Sequence, residues 1–303
     1  MSAVGIIGTG WVGSSVAISA LHAGVAHTLM LHDVRSELAD GEAMDLAHGA
    51  AFYPACHVRS ASIAEMHEAA ALVIAAGRGG TAGQTRLELL RENATVVRDL
   101  AQQLSGYRGL VVMVTNPVDV LTYLFHRSSG LPRERVIGTG TLLDTARLRQ
   151  IVGRELAVDP RSIHAQVIGE HGDSEVVLWS SARVGGGLLR QWRGWSAERE
   201  SRIAQKVRTA AYEIIRRKGA TNHAIGLVTA SLLESLLRDE RRVLTVSRVQ
   251  TEAMQLEDVA LSLPSIVDAS GAAQVLEPEL DEGEREALAR SALVLREAIA
   301  SVT

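Results

Sequence analysis

Four polar segments of the chain carry side chains that could do chemistry. One contains His171, whose imidazole can both give and take a proton near neutral pH. Another contains Asp144 and Arg147, which are three residues apart and could form part of a site or an ordinary ion pair on a helix. Each segment falls where a loop at the end of a strand is expected. The four segments are residues 85–89, 115–119, 138–147 and 169–174.

A glycine motif near the N-terminus predicts a dinucleotide site. Gly8, Gly10 and Gly13 fit the pattern G-x-G-x-x-G, directly after an apolar strand and at the start of a helix that includes Val12. In this pattern the first glycine permits a tight turn, the second lets the backbone approach a pyrophosphate, and the third lets the helix pack on the sheet. The free N–H groups at the helix N-terminus favour phosphate binding. We expect this loop and Val12 to contact the cofactor.

An acidic residue at the end of the second strand indicates which dinucleotide is bound. Asp33 lies 20 residues beyond Gly13 and follows the predicted strand 28–31. A carboxylate there can accept hydrogen bonds from both ribose hydroxyls of NAD, and it would repel the 2′-phosphate of NADP. The pattern therefore favours NAD, the alternative being a glycine turn beside a solvated aspartate.

The elements around these motifs predict an α/β fold of two parts. In the first half, apolar strands alternate with amphipathic helices, which is typical of a Rossmann-type, doubly wound parallel sheet. The predicted strands there are 4–7, 28–31, 72–76, 110–114 and 135–137, and the helices are 12–23, 37–48, 85–104 and 117–127.

The second half has the pattern of an α+β domain. Its predicted strands are 163–168, 175–178, 243–247, 259–263 and 265–267, and its helices are 197–218, 224–238 and 282–300. The last three strands are expected to form an antiparallel sheet. We find no linker composition, so we expect a tight junction within 138–144, an NAD-binding domain over 1–140 and a substrate-binding and catalytic domain over 141–303.

Composition excludes several other classes of protein. With a formal net charge of −4, the 303 residues provide no basic surface for nucleic acid. No apolar run reaches the roughly 20 residues needed to span a bilayer, and the N-terminus has no signal-peptide pattern. Cys56 is the only cysteine, and no spacing typical of metal ligands occurs. We expect a cytoplasmic protein without a metal.

Taken together, the four polar segments and the glycine motif resemble the lactate and malate dehydrogenase family, and the resemblance covers essentially the whole chain. It implies hydride transfer with NAD between a small 2-hydroxy acid and a 2-keto acid. His171 would be the general acid/base, Asp144 would hold its other ring nitrogen, and Arg147 would bind the substrate carboxylate. Arg86, on a loop that closes, would polarise the carbonyl. Asn116 would orient nicotinamide and substrate, and its bond to Pro117 resembles a cis peptide of the family.

The resemblance also implies residues that shape the pocket. Thr221 and Ile225 would line it around the reacting carbon and the nicotinamide. By register from Arg86, the position that discriminates between substrates is Gly80, where lactate enzymes usually have Gln and malate enzymes have Arg. Because Gly80 supplies no cation for a second carboxylate, we expect L-lactate and pyruvate as substrates. Malate dehydrogenase or a broader L-2-hydroxy-acid dehydrogenase is the alternative, and an idle NAD-binding protein on this scaffold is a further one.

A regulatory site is the last implication. Bacterial members of the family can bind fructose 1,6-bisphosphate between subunits of a tetramer through an arginine and a histidine. By register these are Arg149 and His164. We therefore expect a homo-oligomer, either a tetramer or a dimer, although an ordinary helix arginine and strand histidine would give the same sequence.

Overall fold

A nine-stranded sheet forms the centre of the molecule in a computed structural model that describes residues 2–79 and 85–303. Six neighbouring strands of it are parallel, in the spatial order β3-β2-β1-β4-β5-β6. These strands are β1 Ala3–Ile7, β2 Thr28–His32, β3 His57–Ser60, β4 Ala71–Ile74, β5 Leu110–Met113 and β6 Val136–Gly138. The order and direction are those of the predicted Rossmann-type fold, but β3 was missing from the sequence prediction.

Helices cover the sheet and connect its strands. The eight α-helices of the described residues are α1 Trp11–Ala23, α2 Ser36–His48, α3 Arg86–Gln103, α4 Val118–Ser129, α5 Leu142–Leu156, α6 Ala197–Lys218, α7 His223–Leu237 and α8 Glu282–Ala300. Local sequence defines some of their ends. At the start of α3, for example, Thr85 and Glu88 form a capping box, in which each side chain accepts a hydrogen bond from the backbone N–H of the other.

The antiparallel strands of the second half continue the central sheet. These strands are β12 Arg242–Gln250, β13 Val259–Asp268 and β14 Gly271–Val275. Ser247 of β12 pairs with Gly138 of β6, so the sheet passes from parallel to antiparallel at that point. Two details of the prediction were wrong. The antiparallel strands form no sheet of their own, and segments 259–263 and 265–267 are one strand that runs through Pro264.

The predicted strand 163–168 was also wrong as a single element. It consists of β7 Ile163–His164 and β8 Val167–Ile168, which belong to different small sheets. β7 pairs with β10 Arg183–Val184, which pairs in turn with β11 Gly187–Leu188. β8 pairs with β9 Val176–Val177. β8 leads directly into the loop that carries His171.

Close contact between α1 and α7 connects the two halves of the molecule. A Cβ added to Gly226 of α7 would lie 2.4 Å from the carbonyl oxygen of Ser15 in α1, so the two helix backbones nearly touch. Asn222 strengthens this contact because its side-chain amide donates a hydrogen bond to the hydroxyl of Ser15 over 2.8 Å. The start of α7 is thereby held beside the glycine motif.

Within the described residues, no helix combines the length and the apolar character needed to cross a membrane.

Candidate active site

The glycine motif forms the turn between β1 and α1. Gly8 has a φ of +95°, and a Cβ there would lie 2.5 Å from the backbone nitrogen of Ala76. A Cβ on Gly13 would lie 1.8 Å from the carbonyl oxygen of Gly8. By contrast, a Cβ on Gly10 would meet no described atom within 4 Å. The protein itself therefore requires glycine at two of these positions, and the open space at Gly10 suits the close approach of a phosphate group.

This difference predicts opposite effects for two substitutions. We expect Gly10→Ala to fold normally and to weaken NADH binding by roughly 10–200-fold, as one added carbon group in a tight site does. We expect Gly13→Ala to lower the free energy of unfolding by roughly 1–3 kcal/mol or more, because its methyl group overlaps backbone. Thermal unfolding and fluorescence titration with NADH measure the two effects. Normal NADH affinity in Gly10→Ala would show that no phosphate approaches that backbone.

Asp33 lies in the same cleft, whose volume is about 490 Å³ and whose lining includes Gly8, Gly10 and Gly77. One carboxylate oxygen accepts a hydrogen bond from the backbone N–H of Thr9 over 2.9 Å, and the other accepts one from the backbone N–H of Arg35 over 3.0 Å. Burial raises the pKa of Asp33, but these hydrogen bonds lower it more, so that the pKa is below its usual value. The carboxylate is thus charged at neutral pH and held at the edge of the cleft.

His171, Asp144 and Arg147 lie together. The Nδ1 atom of His171 is 2.5 Å from one carboxylate oxygen of Asp144. The guanidinium of Arg147 donates a hydrogen bond to the other oxygen over 2.6 Å. Asp144 is only 2% exposed, whereas the side chains of His171 and Arg147 are 22% and 14% exposed. The buried carboxylate therefore orients two cations whose outer faces stay accessible.

The charges of this group determine the protonation state of His171. Burial lowers the pKa of His171, but the charge and hydrogen bond of Asp144, with the charge of Asp119, raise it to about 9. Burial raises the pKa of Asp144, and the cationic His171 and Arg147 outweigh that effect and lower it. At neutral pH the imidazole is therefore protonated and the carboxylate is ionised. In this state Nδ1 donates to Asp144, and Nε2 can give a proton to a bound molecule.

The loop that carries His171 is fixed by successive backbone hydrogen bonds. Gly169 and Ser262 exchange two of them, each 2.9 Å long. The N–H of Glu170 donates to the hydroxyl of Ser291 over 2.8 Å, and the N–H of His171 donates to a carboxylate oxygen of Asp119 over 2.7 Å. The position of the imidazole is thus set by β13, α8 and α4 as well as by Asp144.

Asn116 follows β5 at the same end of the sheet, and its side chain is exposed. The bond between Asn116 and Pro117 is cis, as predicted. The buried side chain of Asn93 donates a hydrogen bond to the carbonyl oxygen of Asn116 over 3.0 Å. It also accepts one from the backbone N–H of Arg78 over 2.7 Å. Asn93 therefore joins the chain that follows β4 to the chain that follows β5.

The structure places the other predicted residues as follows. Thr221 is half-buried just before α7, and Ile225 is half-buried in the first turn of that helix. Arg149 of α5 donates a hydrogen bond from Nε to the carbonyl oxygen of Ala165, beside the exposed His164. Gly80 lies outside the described residues. Arg86 begins α3, but its side chain lies outside the described part of the chain.

Sequence reasoning assigned no role to three buried polar residues of this region. Asp119 contacts the backbone of His171, Asn93 contacts that of Asn116, and Glu175 lies close to Asp144 and His171. Burial and the charge of Asp144 raise the pKa of Glu175 well above its usual value. In the sequence, the carboxylate of Asp119 stands between Val118 and Val120 in the apolar first turn of a helix, and this position could have indicated a buried functional group. For Asn93, the helix pattern contained no such signal.

Both halves of the chain match family models. Residues 2–138 match the model described as lactate/malate dehydrogenase, NAD binding domain, and residues 141–303 match lactate/malate dehydrogenase, alpha/beta C-terminal domain. The L-lactate dehydrogenase of Thermus aquaticus is 44% identical, with 99% of each chain covered. That of Kosmotoga olearia is 42% identical over 99% of this chain and 96% of its own.

Solved structures agree with these matches. The minor L-lactate dehydrogenase from Enterococcus mundtii, in a ligand-bound form, superimposes with a TM-score of 0.97 and 40% identity. The alignment covers 100% of this chain and 98% of that one.

Proposed function

The chain belongs to the lactate/malate dehydrogenase family, and on that premise we propose that it interconverts L-lactate and pyruvate with NAD as the hydride carrier. The observation that carries the proposal is the group of His171, Asp144 and Arg147, in which one buried carboxylate holds a proton donor and a carboxylate-binding cation side by side. Such a pair suits a 2-keto acid, whose carbonyl and carboxylate are adjacent. The first half of the chain is the NAD-binding domain of the family.

Gly8, Gly10 and Asp33 would hold NAD, with Val12 at the start of α1. The open space at Gly10 and the charged carboxylate of Asp33 both fit a pyrophosphate followed by a ribose. When bound as NADH, the cofactor supplies a hydride to the carbonyl carbon of pyruvate. The half-buried Thr221 and Ile225, held near the glycine motif by the α1–α7 contact, would line the space around the nicotinamide.

The side chains of the protein bind the substrate carboxylate and transfer the proton. Arg147 binds the carboxylate of pyruvate with the N–H groups that it does not give to Asp144. His171 donates a proton to the carbonyl oxygen, and Asp144 stabilises the imidazolium before that step. In lactate oxidation, neutral His171 takes the proton back. Asn116 would orient the nicotinamide and substrate, and Arg86 would polarise the carbonyl, as the family resemblance implies.

The sequence offers two positions that bear on a second substrate carboxylate. Gly80 contributes no charge. Arg78 is a cation, but its Nε lies 3.7 Å from a carboxylate oxygen of Glu92 on α3 and its side chain is 70% exposed. An unpaired carboxylate in a poorly hydrated pocket is very costly, so oxaloacetate should be disfavoured.

Steady-state kinetics with NADH test this proposal. We expect kcat/KM for pyruvate to exceed that for oxaloacetate by roughly 10²-fold or more, because an uncompensated buried charge costs about 3–5 kcal/mol. Arg78→Ala should leave this ratio unchanged, and Gly80→Arg should raise the rate with oxaloacetate. A higher efficiency with oxaloacetate than with pyruvate would contradict the substrate, and its loss in Arg78→Ala would identify Arg78 as the partner of the second carboxylate.

We also propose that the chain forms a homo-oligomer, a tetramer or a dimer, regulated by fructose 1,6-bisphosphate. Trp11, Ile18 and Leu227 are exposed apolar residues on α1 and α7, which supports association. Arg149 lines a cavity of about 270 Å³ that Arg161 and Arg242 also line. Clustered guanidinium groups suit phosphate, and a two-fold axis would double them for a bisphosphate.

Millimolar fructose 1,6-bisphosphate should lower the KM for pyruvate by roughly 5–150-fold, the usual range of allosteric coupling. Arg149→Gln and His164→Ala should lose this response, while Arg154→Gln, on the exposed side of the same helix, should keep it. Light scattering would show whether the effector changes the mass of the oligomer. No change in either KM or mass would contradict the regulatory site.

A further inference from the structure

A second buried carboxylate, Asp119, contacts the backbone of His171, whereas Asp144 contacts its ring. Asp119 is in the first turn of α4, three residues after Asn116, and is 2% exposed. One of its oxygens accepts the backbone N–H of His171 over 2.7 Å. The segment 116–119 therefore supplies the exposed side chain of Asn116 and the buried carboxylate that holds the residue proposed to transfer the proton.

The two backbone N–H groups that precede His171 in the loop have uncharged acceptors. That of Gly169 is bound by the carbonyl oxygen of Ser262, and that of Glu170 by the hydroxyl of Ser291. Of these three N–H groups, only that of His171 has an ionisable acceptor. Further along the loop the N–H of Ser174 donates to the carboxylate of Glu170 over 3.0 Å, but Glu170 is only half-buried, whereas Asp119 is buried. A carbonyl, a hydroxyl or an amide oxygen would hold an N–H equally well, and burial of a carboxylate is costly. The charge at this position therefore needs a reason beyond anchoring.

The surroundings leave this carboxylate only partly compensated. The second oxygen of Asp119 and the hydroxyl of Ser247 each lack a hydrogen-bond partner among the described residues, although the hydroxyl lies close enough to lower the pKa of Asp119. Burial has the largest effect and raises the pKa of Asp119 to about 6, so the group is ionised at neutral pH. The charge of the His171 imidazolium lowers the pKa of Asp119.

We propose that Asp119 is a positioning residue for the reaction, which holds the main chain of His171 through its hydrogen bond and supports the imidazolium form through its charge. This inference rests on the proposed function, in which His171 transfers the proton. Two carboxylates then act on one histidine. Asp144 orients the ring through Nδ1 and stabilises its protonated form, and Asp119 fixes the backbone and adds a second negative charge.

Other charged groups act on the same pair and must be considered in any pH measurement. Asp144 raises the pKa of His171 and Arg147 lowers it, while Glu170 raises the pKa of Asp119. Glu175 interacts with Asp144, His171 and Arg147, and it is partly compensated by Arg208 on α6. All of these groups stay in place in the variants below, so a change in the pH profile can be assigned to Asp119.

The test is the pH dependence of both reaction directions in Asp119→Asn, which keeps an oxygen acceptor and removes the charge. Loss of a nearby negative charge lowers the pKa of His171, and we expect a decrease of about one unit. Pyruvate reduction needs protonated His171, so its alkaline limit in kcat/KM should move down by that amount. Lactate oxidation needs neutral His171, so its acid limit should move down as well. A purely structural defect would lower both rates without moving either limit.

Ser291→Ala is the matched control, because it removes the uncharged anchor of the adjacent residue. It should lower stability or rate and leave both pH limits in place. Asp119→Ser gives a second measurement if Asp119→Asn does not fold. The serine hydroxyl is smaller than the amide and can still accept the N–H of His171, while the charge is lost, so both limits should again move down.

The outcomes separate this inference from the proposed function. If the wild-type protein reduces pyruvate and His171→Asn abolishes the reaction, while neither Asp119→Asn nor Asp119→Ser moves a pH limit, the role of Asp119 is wrong and the function stands. If the wild-type protein does not reduce pyruvate, the proposed function itself fails.

Discussion

His171→Asn should fold, bind NADH with near-normal affinity and lose pyruvate reduction by roughly 10²–10⁴-fold, the usual contribution of a general acid or base. Asparagine can still donate to Asp144, so the buried carboxylate keeps a partner. It cannot give up a proton at neutral pH. The glycine motif is part of a different segment, which is why cofactor affinity should survive.

The pH profile of the wild-type protein provides a second check on His171. Its pKa of about 9 is above the ordinary value for histidine. Reduction requires the protonated ring, so kcat/KM for pyruvate should hold through neutral pH and fall as pH rises through about 9. Lactate oxidation should rise over the same range. The small residual activity of His171→Asn should lack this transition.

His48→Asn is a suitable control for this experiment. His48 is an exposed residue at the end of α2, away from the segments that carry the site. It should match the wild-type protein in rate, NADH binding and unfolding temperature. If His171→Asn also retained the wild-type rate, His171 would have no part in the proton transfer.

Local patterns were enough to predict most of the parallel sheet, and β3 shows where they fail. Apolar runs identified five strands that are buried among neighbours. β3, with the sequence His-Val-Arg-Ser, is at the edge of the sheet, and only Val58 in it is buried. An edge strand needs few apolar residues, so its pairing with β2 could not be inferred from composition.

At Pro264 the opposite error occurred, because the local sequence predicted a break in a strand that in fact continues. A proline usually ends a strand because it cannot donate a ladder hydrogen bond. In β13 the residue keeps its place opposite Thr245, and its carbonyl oxygen accepts the N–H of Leu276 over 2.8 Å. Tertiary pairing on both sides thus maintains the strand through a position where the local sequence predicts a break.

The candidate site shows the same contrast between contacts that local sequence predicts and contacts that depend on tertiary packing. Spacing alone suggested that Asp144 and Arg147 face the same way on a helix, and the structure has them 2.6 Å apart. The contact between Asp119 and the backbone of His171 joins residues 52 positions apart in sequence. It depends on how α4 packs under the 169–174 loop, so no sequence periodicity could predict it.

Arg147→Gln should lower kcat/KM for pyruvate by roughly 10²–10³-fold, since removing one partner of a hydrogen-bonded charge pair costs about 2–5 kcal/mol. The physical reason is that Arg147 alone in this group offers a planar cationic fork to the substrate carboxylate. Most of the loss should appear as a higher KM, because the carboxylate is charged in both the ground state and the transition state. Steady-state kinetics with pyruvate separate the two parameters.

Two comparisons make the Arg147 experiment decisive. Arg147→Lys keeps the charge but loses the fork, so it should recover only part of the affinity. Because Arg147 lowers the pKa of His171, its neutralisation in Arg147→Gln should move the alkaline limit of pyruvate reduction to higher pH. That direction is opposite to the one expected for Asp119→Asn. A general loss of structure could not move the limit in opposite directions in two variants, whereas opposite charges acting on one imidazole must do so. An Arg147→Gln variant with an unchanged KM for pyruvate would show that the substrate carboxylate binds elsewhere.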